Sequence, residues 1–307
     1  MNINKDKYIK CLDYYDHWPG LKKLEKLNMD QIKTFEEPYR MYLYCYYGFT
    51  NILTNKDIYT IDQLNILIDG CLNNLYLFAA YTGNIKLLKY LKLINFDINY
   101  INQHSFNAFL FAVKGSKLKT CYYLESIGIN IYKTNRDYDN AFMIAAQFSK
   151  IKILKYLYKN IYNEGNGDII IDRNIEDSYY MWEQNDATNN AYMIAFLKGN
   201  IKTLKYLESV GFSMYYNGIH FYNSYQRVIC CNKLKSIKYF DKNNFIIKNE
   251  DIIPYLTQEL ITNKRFNTNK NILRYFFNKN GRLYNYKDTK YKLHNFTFNL
   301  KSKLLFI

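Results

Sequence analysis

Apolar positions along the chain fall into two alternating helical patterns. In the first, Asn74-Leu75-Tyr76-Leu77-Phe78-Ala79-Ala80, the residues Tyr76, Ala79 and Ala80 stand at i, i+3 and i+4. In the second, Ile85-Lys86-Leu87-Leu88-Lys89-Tyr90-Leu91, the residues Ile85, Leu88 and Leu91 stand at i, i+3 and i+6 with lysines between them. Each spacing gathers apolar side chains on one helix face, and in the second the lysines turn outward. Both patterns recur. The first restarts at Asn107, Asn140 and Asn190, with a weaker copy at Asn223; the residue that closes the second, Leu91, recurs as Leu124, Leu157, Leu207 and Phe240. Both series advance by 33, 33, 50 and 33 residues. Two independent patterns with one spacing mark an internal repeat.

Gly83-Asn84, Gly115-Ser116 and Gly199-Asn200 predict the short turn inside each pair, with glycine supplying a positive φ. Asn95-Phe96, Gly128-Ile129 and Gly211-Phe212 end the second helix and return an apolar side chain to the core. A pair of this size has one well-buried face, so neighbouring copies must stack to complete a core. The tyrosines Tyr90, Tyr123, Tyr156, Tyr206 and Tyr239 share one column. They are read as structural, with rings between stacked second helices and hydroxyls at the rim.

A 33-residue unit of two antiparallel helices and a hairpin-like connection resembles the ankyrin repeat, with its signature T-P-L-H-x-A. Asn74, Asn107, Asn140 and Asn190 stand at its Thr, and Asn can replace Thr as an N-cap. Leu77, Leu110, Met143 and Met193 stand at its His, so the Thr–His hydrogen-bond network is absent. The likeness covers about residues 74 to 245 and is similar in style to the ankyrin-array proteins of large DNA viruses of protists. It implies an all-α, ankyrin-type solenoid of stacked helix-turn-helix repeats with short hairpin connections. The array is expected over residues 74–280, about five to six repeats, with a degenerate sixth copy near Ile253-Pro254 and Leu273–Phe276. Residues 1–73 lose the phase and are expected to be a helical cap or decayed repeats; residues 281–307 form a basic tail.

In the ankyrin fold the connections project as fingers that line the concave binding face. The resemblance therefore implies partner contacts from Tyr100, His104, Tyr132, Arg136, Tyr138, Tyr216, His220 and Tyr222. Tyr and Arg are also the side chains that supply interface hot spots. The 50-residue step holds an insertion near 160–190, rich in Asp and Glu, whose Trp182 is a further candidate contact; the bland alternative is a tolerated surface loop.

Composition changes this picture little. The net charge is +15, from 42 Lys+Arg against 27 Asp+Glu. With 39 Asn, 34 Tyr and 20 Phe, A/T-rich codon usage explains the lysines more simply than selected anion binding does. The tail from Lys264 to Lys303 sets eleven basic residues and interleaved aromatics against Asp288 alone, the kind of surface that single-stranded nucleic acid binding uses, with codon bias on a terminal cap as the simpler reading. Cys11, Cys45, Cys71, Cys121, Cys230 and Cys231 form no C-x-x-C, and no His lies at metal-ligand spacing from a Cys. A reducing compartment is expected, the cytoplasm of a host cell, with no catalytic residues, cofactor or metal. The first residues lack the apolar core of a secretory signal, and no run of 18 apolar residues predicts a membrane span. The expected function is a non-enzymatic scaffold for a protein partner. The alternative is a nucleic-acid-associated protein that uses its lysine-bearing helices and basic tail.

Overall fold

The computed structural model describes residues 3–16, 18–68, 72–162, 190–212 and 233–242. Among them all regular structure is helical, apart from one antiparallel bridge between Ile68 and Asn73. The chain opens with α1 (Lys5–Leu12), a 3-10 turn (Trp18–Lys23), α2 (Met29–Lys33), α3 (Tyr39–Tyr47), α4 (Thr50–Leu53) and α5 (Ile61–Leu64). Four helix pairs follow: α6 (Leu75–Thr82) with α7 (Ile85–Leu93), α8 (Ala108–Lys114) with α9 (Leu118–Ser126), α10 (Ala141–Gln147) with α11 (Ile151–Tyr162), and α12 (Ala191–Lys198) with α13 (Ile201–Ser209). The chain divides into two compact units, Met1–Ser224 and Tyr225–Ile307. In the second, the described helix is α14 (Leu234–Lys242), which buries Ser236, Ile237 and Phe240.

Each first helix starts where asparagine can cap it. Asn74, Asn107, Asn140 and Asn190 are extended, and their side chains accept the backbone N–H three residues on, at 2.9, 3.0, 2.9 and 3.0 Å. That satisfies one of the orphan donors every helix start leaves. The first helices then pack side by side, α6 on α8, α8 on α10 and α10 on α12, each also touching its own second helix. The extra residues of the 50-residue step do not part α10 from α12. Upstream, α3 lies on α6 and α4 on α7, so α3–α4 extends the row by one pair. Phe96, Ile129 and Phe212 are buried after their second helices, with Phe96 stacked on Tyr76 and Phe212 on Phe142.

The turns differ from expectation at one place. Gly83 and Gly199 take φ 82° and 76°, as predicted, but Gly115 is right-handed at φ −70°. The left-handed position of the second and third pairs falls on Ser116 (φ 63°) and Ser149 (φ 56°). Gly115 is needed for proximity instead: a Cβ there would stand 2.0 Å from the Tyr81 carbonyl oxygen at the end of α6. The asparagine after glycine also has a task beyond the turn. Asn200 donates to the Ala146 and Gln147 carbonyls at 3.0 and 2.8 Å, and Asn84 donates to Thr50 Oγ1 at 2.9 Å, so each ties its pair to the one before.

Tyr15 and Trp18, between α1 and residue 24, pack on the first helices. Trp18 is fully buried, with its ring centroid 4.7, 5.0 and 5.1 Å from those of Phe78, Tyr81 and Phe111. Phe78 lies about 200° around α6 from Tyr76, which faces the end of α7. Trp18 therefore covers the face of the first helices opposite their second helices.

Candidate interaction surface

The two fully described connections between pairs are built alike, each closed on one asparagine. Asn102 Oδ1 accepts the N–H groups of His104 and Phe106 at 3.0 and 2.8 Å, while its own N–H donates to the Phe106 carbonyl at 3.1 Å. Asn135, 33 residues on, accepts from Asp137 and Asp139 at 3.0 and 2.7 Å and donates to the Asp139 carbonyl at 3.1 Å. The reversal places Ser105 and Tyr138 at φ 60°. For tyrosine this left-handed backbone costs on the order of 1 kcal/mol or more. The loops are also tied to one another. Tyr100 donates its hydroxyl to the Leu72 carbonyl at 2.6 Å, Asn102 Nδ2 donates to Asn73 Oδ1 at 2.9 Å, and the Arg136 N–H donates to the His104 carbonyl at 2.9 Å. The connections thus stand in one row.

The predicted contact residues that are described divide into two groups. Tyr132 and Tyr138 are 54% and 55% exposed, and Arg136 lies between them, also exposed. Tyr100 and His104 are half-buried: the first is engaged with Leu72, and the second sets its ring 5.6 Å from that of Tyr15. Trp182, Tyr216, His220 and Tyr222 lie outside the described residues, as do the basic tail and all but the start of the acidic insertion. Two features went unread in the sequence. One is the pair Asn102 and Asn135, legible as a 33-residue column. The other is the set of exposed apolar residues beside them, Leu72 and Ile101 at 46% each.

Removing one loop asparagine should be costly. Asn135→Ala strips an acceptor from two N–H groups, and its site is 7% exposed. The expected loss is about 1–3 kcal/mol in denaturant unfolding. The amides of residues 136–139 should lose hydrogen-exchange protection while those of α8 keep theirs.

The second helices carry a different pattern. Lys86, Lys119, Lys152 and Lys202 occupy one column of α7, α9, α11 and α13, and all four are exposed. Beside them, Lys89 Nζ lies 5.8 Å from the ring centre of Tyr123, and Lys155 Nζ lies 5.8 Å from that of Tyr206. Tyr122 takes the same place against Tyr156, 4.6 Å between ring centres. The tyrosine column therefore stands between successive second helices. The Tyr156 hydroxyl also donates to the Glu125 carboxylate.

Burial sets the titration of these groups. It pushes the Cys45 and Cys121 thiols up to about 12, so neither is a thiolate near neutrality. It raises the phenols of Tyr59, Tyr76, Tyr81 and Tyr156 well above their ordinary value, helped by Glu37 at Tyr59 and by Glu125 at Tyr156. A folded-state pKa above the unfolded one gives stability that is complete below the unfolded value, about 10, and lost as pH rises past it. Lys117 and Lys150 are lowered, first by burial and then by the charge of Lys22. They act in the opposite sense, adding stability as pH climbs toward about 10.4. Among the described residues raised phenols far outnumber the two lowered amines, so unfolding free energies should fall steeply above pH ~10, measurable by urea titration at stepped pH.

Among the described residues no three His, Cys, Asp or Glu side chains converge as a metal site, and no helix is long and apolar enough to cross a membrane. No protein-family model matches the chain, and no curated protein matches it in sequence.

Proposed function

We propose that the chain is an ankyrin-type solenoid that works as a non-enzymatic interaction scaffold, binding a protein partner through the row of connections between its helix pairs. The observation that carries this reading is the Asn-locked loop of residues 132–139. It holds Tyr138 in a strained backbone with an exposed ring, beside Arg136 and Tyr132. The reversal recurs at Leu72, Ser105 and Tyr138, 33 residues apart, and at Tyr138 it carries a ring that is 55% exposed rather than packed. Tyr and Arg give large contact area and directional hydrogen bonds at little entropic cost, which makes them interface anchors. Loops tied to one another present such anchors pre-ordered, which lowers the cost of association. The composition and the ankyrin likeness favour a viral protein acting in the cytoplasm of a host cell, on a host or viral partner.

The test is a pull-down of the tagged full-length chain from host lysate, with and without nuclease, at low and moderate salt. Protein partners that survive both treatments, and are lost from a Tyr132→Ala/Arg136→Ala/Tyr138→Ala variant of unchanged stability, are the expected result. Retention of every partner by that variant would remove the loop row from the reading.

The lysine column of the second helices favours a second reading, contact with nucleic acid. Four exposed lysines recur at one helix spacing each, as a phosphate-tracking surface requires. Partners that vanish with nuclease, and a binding constant that falls steeply with salt, would select it.

A further inference from the structure

The outward face of the second helices carries charge of one sign. Beside the column of Lys86, Lys119, Lys152 and Lys202 stands a second one. Lys89, Lys155 and Lys205 lie three residues further along their helices and are also exposed. None of these lysines pairs with a carboxylate among the described residues. The four helices α7, α9, α11 and α13 hold nine lysines and two acids, Glu125 and Glu208. Both acids are held by other side chains. Glu125 accepts from the Tyr156 hydroxyl and, at 3.4 Å, from Asn160 Nδ2; Glu208 accepts from the Tyr192 hydroxyl at 2.7 Å. A face that serves solubility alone mixes both signs. Codon bias raises lysine along the whole chain, but it does not withhold acid from one face.

The contacts between these helices also decide what kind of anion fits. Lys89 leans on Tyr123, Tyr122 on Tyr156 and Lys155 on Tyr206, so side chains bridge each step from one second helix to the next. The same contacts engage the rings. Tyr156 is buried, Tyr123 and Tyr206 are half-buried, and Tyr122 is turned edge-on to Tyr156. Single-strand binding uses open aromatic faces on which bases stack. A duplex hides its bases, is already stiff, and carries about one phosphate charge per 1.7 Å of axis. A fixed array of cations without stacking platforms matches the duplex. The major groove admits one helix. Each second helix here has a neighbour at its flank, so none can enter the groove, and contact stays on the backbone.

We propose that the outward face of α7, α9, α11 and α13 binds duplex nucleic acid through its phosphates, without reading its sequence. The inference rests on the nucleic-acid reading of these helices and narrows it to the duplex. Phosphate contacts fix position on a duplex and carry no sequence information.

The test is fluorescence anisotropy of the full-length chain with labelled DNA of about 20 base pairs, at stepped salt. Two duplexes of unrelated sequence should bind alike, and each more tightly than a single strand of the same length. A Lys86→Gln/Lys119→Gln/Lys152→Gln/Lys202→Gln variant should lower the slope of log K against log salt by about 3–4, because each phosphate contact contributes about 0.9. The corresponding Lys→Arg variant should keep the wild-type slope. Lys, Gln and Arg have nearly equal helix propensity, so both variants should keep the wild-type circular dichroism. A glutamine variant with the wild-type slope, or a tenfold preference between the two duplexes, would overturn the proposal. Preference for the single strand would overturn it too and leave the nucleic-acid reading standing; binding of neither probe at low salt would remove both.

Discussion

Gly115→Ala should lower stability by about 3 kcal/mol or more, although the same exchange is usually favourable where the native dihedrals suit alanine. Gly115 has right-handed dihedrals that alanine adopts freely, and alanine would reduce the entropy of the unfolded chain by roughly 0.5–1 kcal/mol. Against that gain stands the new Cβ, 2.0 Å from the Tyr81 oxygen and 2.9 Å from its carbonyl carbon. Neither atom belongs to a flexible side chain. Relief requires α6 and α8 to move apart, and every buried residue between them loses contact. Steric overlap decides the sign. Gly48→Ala is the control: its φ is 80° and nothing lies within 4 Å, so only the backbone penalty of about 1 kcal/mol remains. Thermal unfolding of the two variants should differ by several degrees, since each kcal/mol is worth roughly 2–4 °C at this size.

Phe142→Ala should cost about 3–5 kcal/mol. The ring is fully buried in α10 and stacks on Phe212 at 5.6 Å, so it joins the third pair to the residue that closes the fourth. Its loss opens a cavity at the interface that spans the 50-residue step. In a row where each pair leans on its neighbours, damage at one interface is felt first by the pair beyond it. Hydrogen exchange should therefore show α12 and α13 losing protection before α6 and α8. Uniform loss across all four pairs would mean that the row unfolds as one unit.

The first-helix face shows how far the sequence could be read. Leu75 to Tyr81 is apolar on every side, and all seven residues are buried. A helix apolar all round needs cover on all faces, so the demand for a further layer was written in α6. What supplies the layer was not. Asp16 reaches Lys114 across 98 residues, and Trp18 reaches Phe78 and Phe111 from a stretch that shares no period with the repeat. The candidate surface divides the same way. Tyr132, Arg136 and Tyr138 are exposed, as their place in a polar connection suggested. Tyr100 and His104 have the same sequence character yet are engaged, by Leu72 and Tyr15. Asn102 and Asn135 were visible as a column but gave no cue to their role, because Asn is abundant throughout the chain.

The amino-acid sequence by itself determined the helix pairs, their caps at Asn74, Asn107, Asn140 and Asn190, and the return of Phe96, Ile129 and Phe212 to the core. These depend on hydrogen bonds and apolar spacing within a few residues, repeated often enough to be read against one another. The tertiary structure decided the close approach at Gly115, the mutual ties of the loop row and the cover of the first-helix face by Tyr15, Asp16 and Trp18. Each of those is a contact between segments with no common period, chosen by which surfaces meet once the pairs have stacked.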